Sequence, residues 1–526
     1  MKILYNAQIH SFDQFRQQAS VLVIDRDKIA ALGGPELFES FGARASREDM
    51  GGRVILPGLT DAHIHLLHYA LSLQKVDVET SSKAEALQRV AERASKTPRG
   101  EWVFGHGWQQ NDWDGEFPTA AELDAVAPEH PVYLTSKSLH ASWANTLVLQ
   151  LAGIGPGTPD PVNGKILRNP SGLPTGILLE TAVMLVEKIL PSPDDDKASQ
   201  VIEAALPNLW KLGLTGAHDF DHRSAFMGLQ ILDRDQRLKL RVTKSIPLDL
   251  LPQAAALGLR TGFGSEHLRI GSVKVFMDGA LGPRTAAMLT PYLNEPENRG
   301  ILNMDGEQFY EHGKLAADAG LSMTGHAIGD RALHEILDGY EQLRGYERDH
   351  GLPALRHRIE HVQVLHPNDA RRLGKLGVIA SMQPIHATSD MLAAEKYWGA
   401  RVNLAYSWRT QLDAGAILAF GSDAPVEAPN PFWGLHAAIT RRRPDGTPGL
   451  EGWHPEQRLT VREALEGYTT GAAYAAGRED QLGRLSPGHY ADLIVLEKDP
   501  FNCHPDDLLT MHSAGTMLGG EWLWQA

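Results

Sequence analysis

The sequence predicts an α/β protein: a (β/α)8 barrel of the TIM type, with an insertion after its first strand and a small β-sandwich built from both termini. Three observations predict it. Eight strand-like runs alternate with helical ones through the central body. Nitrogen and oxygen donors recur at or near the carboxyl ends of those runs. Short β-rich pieces stand at both ends of the chain, each too small to bury an apolar face alone.

The terminal pieces are KILYNAQIHSF, SVLVID and IAALG at one end, with LGRLSPGHYADLIVLEKDP and GTMLGGEWLW at the other. They predict a composite β-sandwich domain of residues 1–55 and 480–526, with Gly519-Gly520 as a hairpin turn. The barrel occupies residues 56–479. Its strands are LTDAHIHL, GLTGAHDF, LKLRVTKSI, LRIGSVKVFMDG, LSMTGHAIGD, RIEHVQVL, GVIASMQPIH and ILAFGSDAPV. Between them DRALHEILDGYEQLRGYE places apolar residues at helical spacing. PNDARRLGKLG reads as a second helix, with Asn368 as its cap and Gly374 near its end. Residues from about 75 to 205 break the alternation. They carry a helical KAEALQRVAERASK and a Pro/Gly-rich loop, and read as an insertion that shapes substrate access.

Composition narrows the function. A net charge of −15 over 526 residues excludes a nucleic-acid-binding surface and attraction to anionic membranes. Cys503 is the single cysteine, so any metal must be held by imidazole or carboxylate rather than by several thiolates. No run approaches the ~20 apolar residues of a membrane span. The N-terminus lacks a leader-like apolar segment, so a reducing cytoplasm is the default location. A small-molecule substrate is the expected partner. Oligomeric state leaves no trace in the sequence, and a homodimer is carried only as a default.

The chemistry lies in the strand ends. His63 and His65 sit two apart at the end of an apolar run, so both project to one side of a strand and can share a metal. His326 and His361 end two later strands among polar neighbours. Glu360 beside His361 either supports the site or pairs with Arg358. Asp423 puts a carboxylate on the last strand, ahead of a proline, and supplies a base. Lys274, flanked by apolar residues in VKVF, reads as buried and pushed toward neutrality. It then either carries a carbamate or pairs with an acid such as Asp278 or Asp219.

These residues in this order resemble the amidohydrolase superfamily, and within it the branch of YtcJ-like metal-dependent hydrolases that includes N-substituted formamide deformylases and exoenzyme-regulatory proteins. The likeness extends to GHGW (Gly105 to Trp108), SLHASWAN (Ser138 to Asn145), GLPTGILLE (Gly172 to Glu180), DGALGPRTA (Asp278 to Ala286) and MQPIHATSD (Met382 to Asp390). It implies one or two divalent metal ions, zinc first among them, on His63, His65, His326, His361 and Asp423, with Lys274 bridging as N6-carboxylysine. It implies a substrate side lined by His140, Trp108 and Arg284, with His140 assisting catalysis. The expected reaction is cleavage of a C–N bond in an amide, N-formyl or N-acyl group by water activated at the metal, with Asp423 as general base and acid. The alternatives are a non-catalytic binding or regulatory member of the fold, or a lactonase or isomerase on the same scaffold.

Overall fold

The computed structural model describes the chain except residues 14–17, 43–44, 109, 111–112, 114, 137–140, 162–163, 191–192 and 283, and the side chains of residues 18 and 180. Eight parallel strands form the barrel sheet: β1 (Leu59–Ile64), β2 (Leu214–Asp219), β3 (Arg241–Pro247), β4 (Leu268–Phe276), β5 (Met323–Ala327), β6 (Arg358–His361), β7 (Ile379–Met382) and β8 (Leu418–Phe420). Each coincides with one of the runs singled out in the sequence. Every residue of β2, β6, β7 and β8 is buried, as expected where helices cover the outside and side chains fill the lumen.

The ring closes through a few bonds at the mouth rather than through a full ladder. The Asp423 amide donates to the His63 carbonyl at 2.7 Å, and the His65 amide donates to the Ala424 carbonyl at 2.9 Å. Below them Asp61 accepts the Ser422 amide at 3.0 Å and the Ser422 hydroxyl at 2.5 Å. Asp423 therefore stands beside His63 because the seam between the last strand and the first puts it there.

Helices follow the strands. Asp330–Asp349 buries Ala332, Leu333, Ile336, Leu337, Tyr340 and Leu343, the stripe its spacing predicts. The helix read from PNDARRLGKLG is shorter than expected, spanning Arg372–Leu376. It ends at Gly377 in the left-handed conformation (φ 61°), so Asn368 is not its cap and Gly374 lies inside it.

Strands from both termini share one eight-stranded sheet. Its order is Glu521–Gln525, Gly515–Leu518, Leu493–Leu496, Val54–Pro57, Lys2–His10, Gln18–Asp25 and Lys28–Gly33, with Ser46–Asp49 pairing Lys2–His10 at one side. Leu4, Ile9, Leu22, Ile55, Leu493 and Met517 form its core. Gly519 (φ 54°) and Gly520 (φ 77°) make the hairpin turn, and a Cβ on Gly520 would meet the Arg26 carbonyl oxygen at 2.4 Å.

The insertion forms a compact unit of its own, Ala70–Asp194, with a six-stranded sheet. Trp108, Trp143, Val90, Leu123, Leu134 and Ile177 fill its core. The helix Asp195–Lys211 belongs to the barrel unit, so the insertion ends earlier than the sequence pattern predicts.

Candidate metal centre

His63 is the fifth residue of β1 and His65 follows its end. Each ring is held from behind by a carboxylate. His63 Nδ1–H donates to Glu360 Oε2 at 2.6 Å, and His65 Nδ1–H donates to Asp221 Oδ1 at 3.0 Å. With Nδ1 the donor in both rings, a tautomer assigned from this network, both Nε2 atoms carry lone pairs. These Nε2 atoms lie 3.4 Å and 3.5 Å from one oxygen, Asp423 Oδ1. Two lone pairs facing a carboxylate oxygen repel unless a proton or a cation stands among them.

His361 joins from β6. Its Nδ1–H donates to Gln383 Oε1 at 2.9 Å, and its ring centroid lies 5.0 Å from that of His63. His63, His361 and Asp423 each offer a ligand atom within 4.8 Å of the other two. The donor set is imidazole and carboxylate, buried and oriented by hydrogen bonds behind it, which suits a divalent transition metal. The residues present fit such an ion.

His326 and Lys274 line the same cavity of about 410 Å³ without joining that triple. The His326 ring lies 4.6 Å from that of His361, and its Nε2–H donates to the Gly279 carbonyl at 2.9 Å. Lys274 is buried on β4 with its ammonium 4.6 Å from the Phe220 ring. It pairs with neither acid named for it above. Asp219 pairs with Lys244 at 2.9 Å, and Asp278 accepts the amides of Ala287, Ile328 and Gly329.

Electrostatics follow from burial. Burial pulls Lys274 down to about 8 despite the pull of Glu360 and Asp423. Burial and the Lys274 charge bring His326 down to about 4 and hold His63 well below its usual value. Burial would lower His65 too, but its bonds to Asp221 and Asp423 raise it to about 9. Burial would likewise raise Asp423, yet the electrostatic pull of His63 and the His65 hydrogen bond keep it well below the usual carboxylate range. The backbone is strained here: His361, Val362 and Asp423 have φ of 75°, 46° and 61°.

Glu360 plays both of the parts open to it. Its second oxygen accepts from Arg358, whose guanidinium also reaches His218 Nδ1 at 2.8 Å, the Ala62 carbonyl at 2.6 Å and Ser381 Oγ at 2.8 Å. Sequence reasoning missed two residues. Asp221 holds both His65 and His68, and the HDFDH run at the end of β2 was its available signal. His386 in MQPIH lies with Nε2 3.8 Å from Asp423 Oδ2, and both its ring nitrogens are buried without a hydrogen-bond partner.

The substrate-side residues fare differently. Trp108 is fully buried, donates to the Leu134 carbonyl at 3.0 Å and packs on Trp113 and Trp143. Within its own unit the indole is core, as a large apolar ring gains most from burial. Arg284 pairs with Glu295 at 2.8 Å over the Tyr397 ring and is absent from the cavity lining, so its place is a surface pairing. His140 lies outside the described residues.

The fold and site together define a parallel β/α barrel with a histidine–carboxylate cation site at the carboxyl ends of its strands. The chain belongs to the amidohydrolase family, whose model ("Amidohydrolase family") matches residues 48–523. It is 31% identical to the protein LONG AFTER FAR-RED 3 of Arabidopsis thaliana over 99% of this chain and 91% of that protein. It is 28% identical to the N-substituted formamide deformylase of Arthrobacter pascens, covering 98% of this chain and 97% of that one. Among solved structures, an uncharacterized metal-dependent hydrolase from Pyrococcus horikoshii superposes with a TM-score of 0.82 at 29% identity, over 96% of this chain and 99% of that one.

Proposed function

We propose that this chain is a metal-dependent hydrolase of amide or N-formyl C–N bonds. The observation that supports it most is the convergence of His63 Nε2, His65 Nε2 and Asp423 Oδ1 on one point at the floor of the cavity. His63, His361 and Asp423 would hold one divalent ion, with His65, His326 and Lys274 available to complete it or to hold a second. A neutral Lys274 amine takes up carbon dioxide with loss of one proton, giving a carbamate that adds a carboxylate to the set. Such an ion polarises a carbonyl and lowers the pKa of water from 15.7 toward about 7.

The protein's own groups do the rest. Asp423 accepts a proton from the attacking water at a carboxylate oxygen and delivers it to the departing amine. Glu360 and Asp221 fix the two imidazoles so that their Nε2 atoms need not reorganise, and Arg358 fixes Glu360. The deformylase relative and the structural relative's designation as a metal-dependent hydrolase support the same reaction class. The test is to load the purified chain with zinc, manganese or iron, with and without bicarbonate. Metal per chain is measured, and N-formyl amines, N-acyl amines and lactones are assayed. Metal-dependent release of amine is expected. Tight metal binding with turnover of lactones alone would overturn the C–N assignment.

A further inference from the structure

The lining of the cavity is of two kinds. Phe276 and Val426 are 52% and 68% exposed, and with Leu281 they give an apolar surface. Asp390, on the helix Pro384–Trp398, and Glu427, in the segment after β8, give an acidic one. Asp390 accepts the Tyr406 hydroxyl at 2.6 Å and Glu427 a hydrogen bond from Ser389, which fixes both carboxylates in place. Neither carboxylate is paired with a lysine or arginine among the described residues, and His386 is the one basic group acting on Glu427. Lys274, in the same lining, feels Glu360 and Asp423 instead.

Two further side chains point to a ligand. His386 is 6% exposed with both ring nitrogens unpartnered, and Gln363 is 4% exposed with Oε1 unpartnered. Both line the cavity. Buried polar atoms are ordinarily satisfied, and these face a cavity, so they are free to bond a molecule bound there. Gln363 Oε1 needs a donor, which the N–H of a secondary amide provides. His386 offers one donor and one acceptor beside Asp423. Burial raises Glu427 despite the Ser389 hydrogen bond and His386, with Asp390 and Asp423 adding to the rise, and a bound cation would relieve that repulsion.

We infer that the substrate is an N-acyl or N-formyl amine whose amine portion carries a second, cationic nitrogen, received by Asp390 and Glu427. The inference rests on the amide-hydrolase reading and adds the substrate class. The amide N–H meets Gln363 Oε1 and the ammonium ends at the two carboxylates. A cation held by His63, His361 and Asp423 would offset the charge of Asp423, which leaves Asp390 and Glu427 as the acidic pair that selects the tail.

The test compares, on metal-loaded enzyme, mono-N-formyl diamines of increasing chain length with N-formyl alkylamines of matched length. The best ammonium compound is expected to exceed its neutral match in kcat/KM by about tenfold or more, a difference of about 1.4 kcal/mol. The preference should shrink as salt is added. Asp390→Asn with Glu427→Gln, run beside each single variant, should bring the ratio to within about twofold. Glu427→Lys should shift preference toward N-formyl amino acids, a gain that a misfolded protein cannot show. Equal kcat/KM for ammonium and neutral compounds, or a ratio that survives the double variant, overturns the inference while leaving the hydrolase reading standing. If no formamide is hydrolysed, that reading falls, and calorimetric titration of the same pairs still decides this one. Tighter ammonium binding lost in the double variant supports it, and equal binding overturns it.

Discussion

Asp423 shows how much one residue's position decides. Its backbone is left-handed, its amide is tied to His63, and its carboxylate faces two imidazoles. Asp423→Asn keeps the size and one oxygen but cannot take a proton. Metal per chain should stay near the wild-type value while kcat falls by about 10²- to 10⁴-fold. An unchanged kcat would remove Asp423 from the base role. His65 yields a pH prediction on the metal-free protein. Its pKa rises from 6.5 unfolded to about 9 folded, so the native state holds the extra proton and gains stability from it. That gain is complete below about pH 6.5 and disappears as pH climbs through 9. The metal-free chain should therefore lose melting temperature across that window, and His65→Gln should flatten the loss. Loading metal should flatten it too, because the ion replaces the proton. His63 and His65 were legible from their spacing, since residues two apart on a strand share a face. Asp221 and His386 were not, because their roles depend on residues distant in sequence.

At the level of elements, the eight strands could be read directly from apolar runs, and their order around the barrel followed. The closing seam could not. No periodicity announces that Ser422 and Asp423 bond to Asp61 and His63 across 361 and 360 positions of chain, a juxtaposition seen only in the folded ring. Gly421 is the narrowest point of that seam. A Cβ there would meet His63 N at 2.3 Å and Asp61 Oδ1 at 2.7 Å, both fixed in place. Gly421→Ala should force β8 away from β1, destabilise the fold by about 1–3 kcal/mol and lower metal occupancy together. Urea denaturation and metal analysis of the same sample read both effects; a stable variant with full metal would show that the seam tolerates separation. The short helix Arg372–Leu376 errs in the other direction. Asn368 looks like a cap locally, yet the preceding turn consumes residues 367–371 before the helix begins.

At the level of the whole barrel unit, one buried ion pair ties the terminal sheet to the barrel. Arg241 on β3 grips Asp492 through Nε at 2.5 Å and Nη2 at 2.9 Å, and Asp492 also accepts the Gly519 amide at 2.8 Å. Both side chains are under a tenth exposed. Asp492→Ala would strand the guanidinium, and a loss of about 3–5 kcal/mol is expected in urea melts. A loss under about 1 kcal/mol would mean that water or the Tyr490 ring, 3.8 Å from the guanidinium carbon, compensates.

The amino-acid pattern by itself determined the barrel strands and the placing of the histidines at their ends, because alternation, strand-end position and period-two spacing are local properties that survive in one dimension. That the terminal strands join one continuous sheet rather than the expected sandwich is tertiary. Tertiary structure alone decided which nitrogen of each imidazole is free, that Trp108 is buried in the core of its unit, and that His386, Asp390 and Glu427 share a cavity with Asp423. Those are matters of distance between remote segments, and hydrogen-bond partners and burial exist only once the ring has closed.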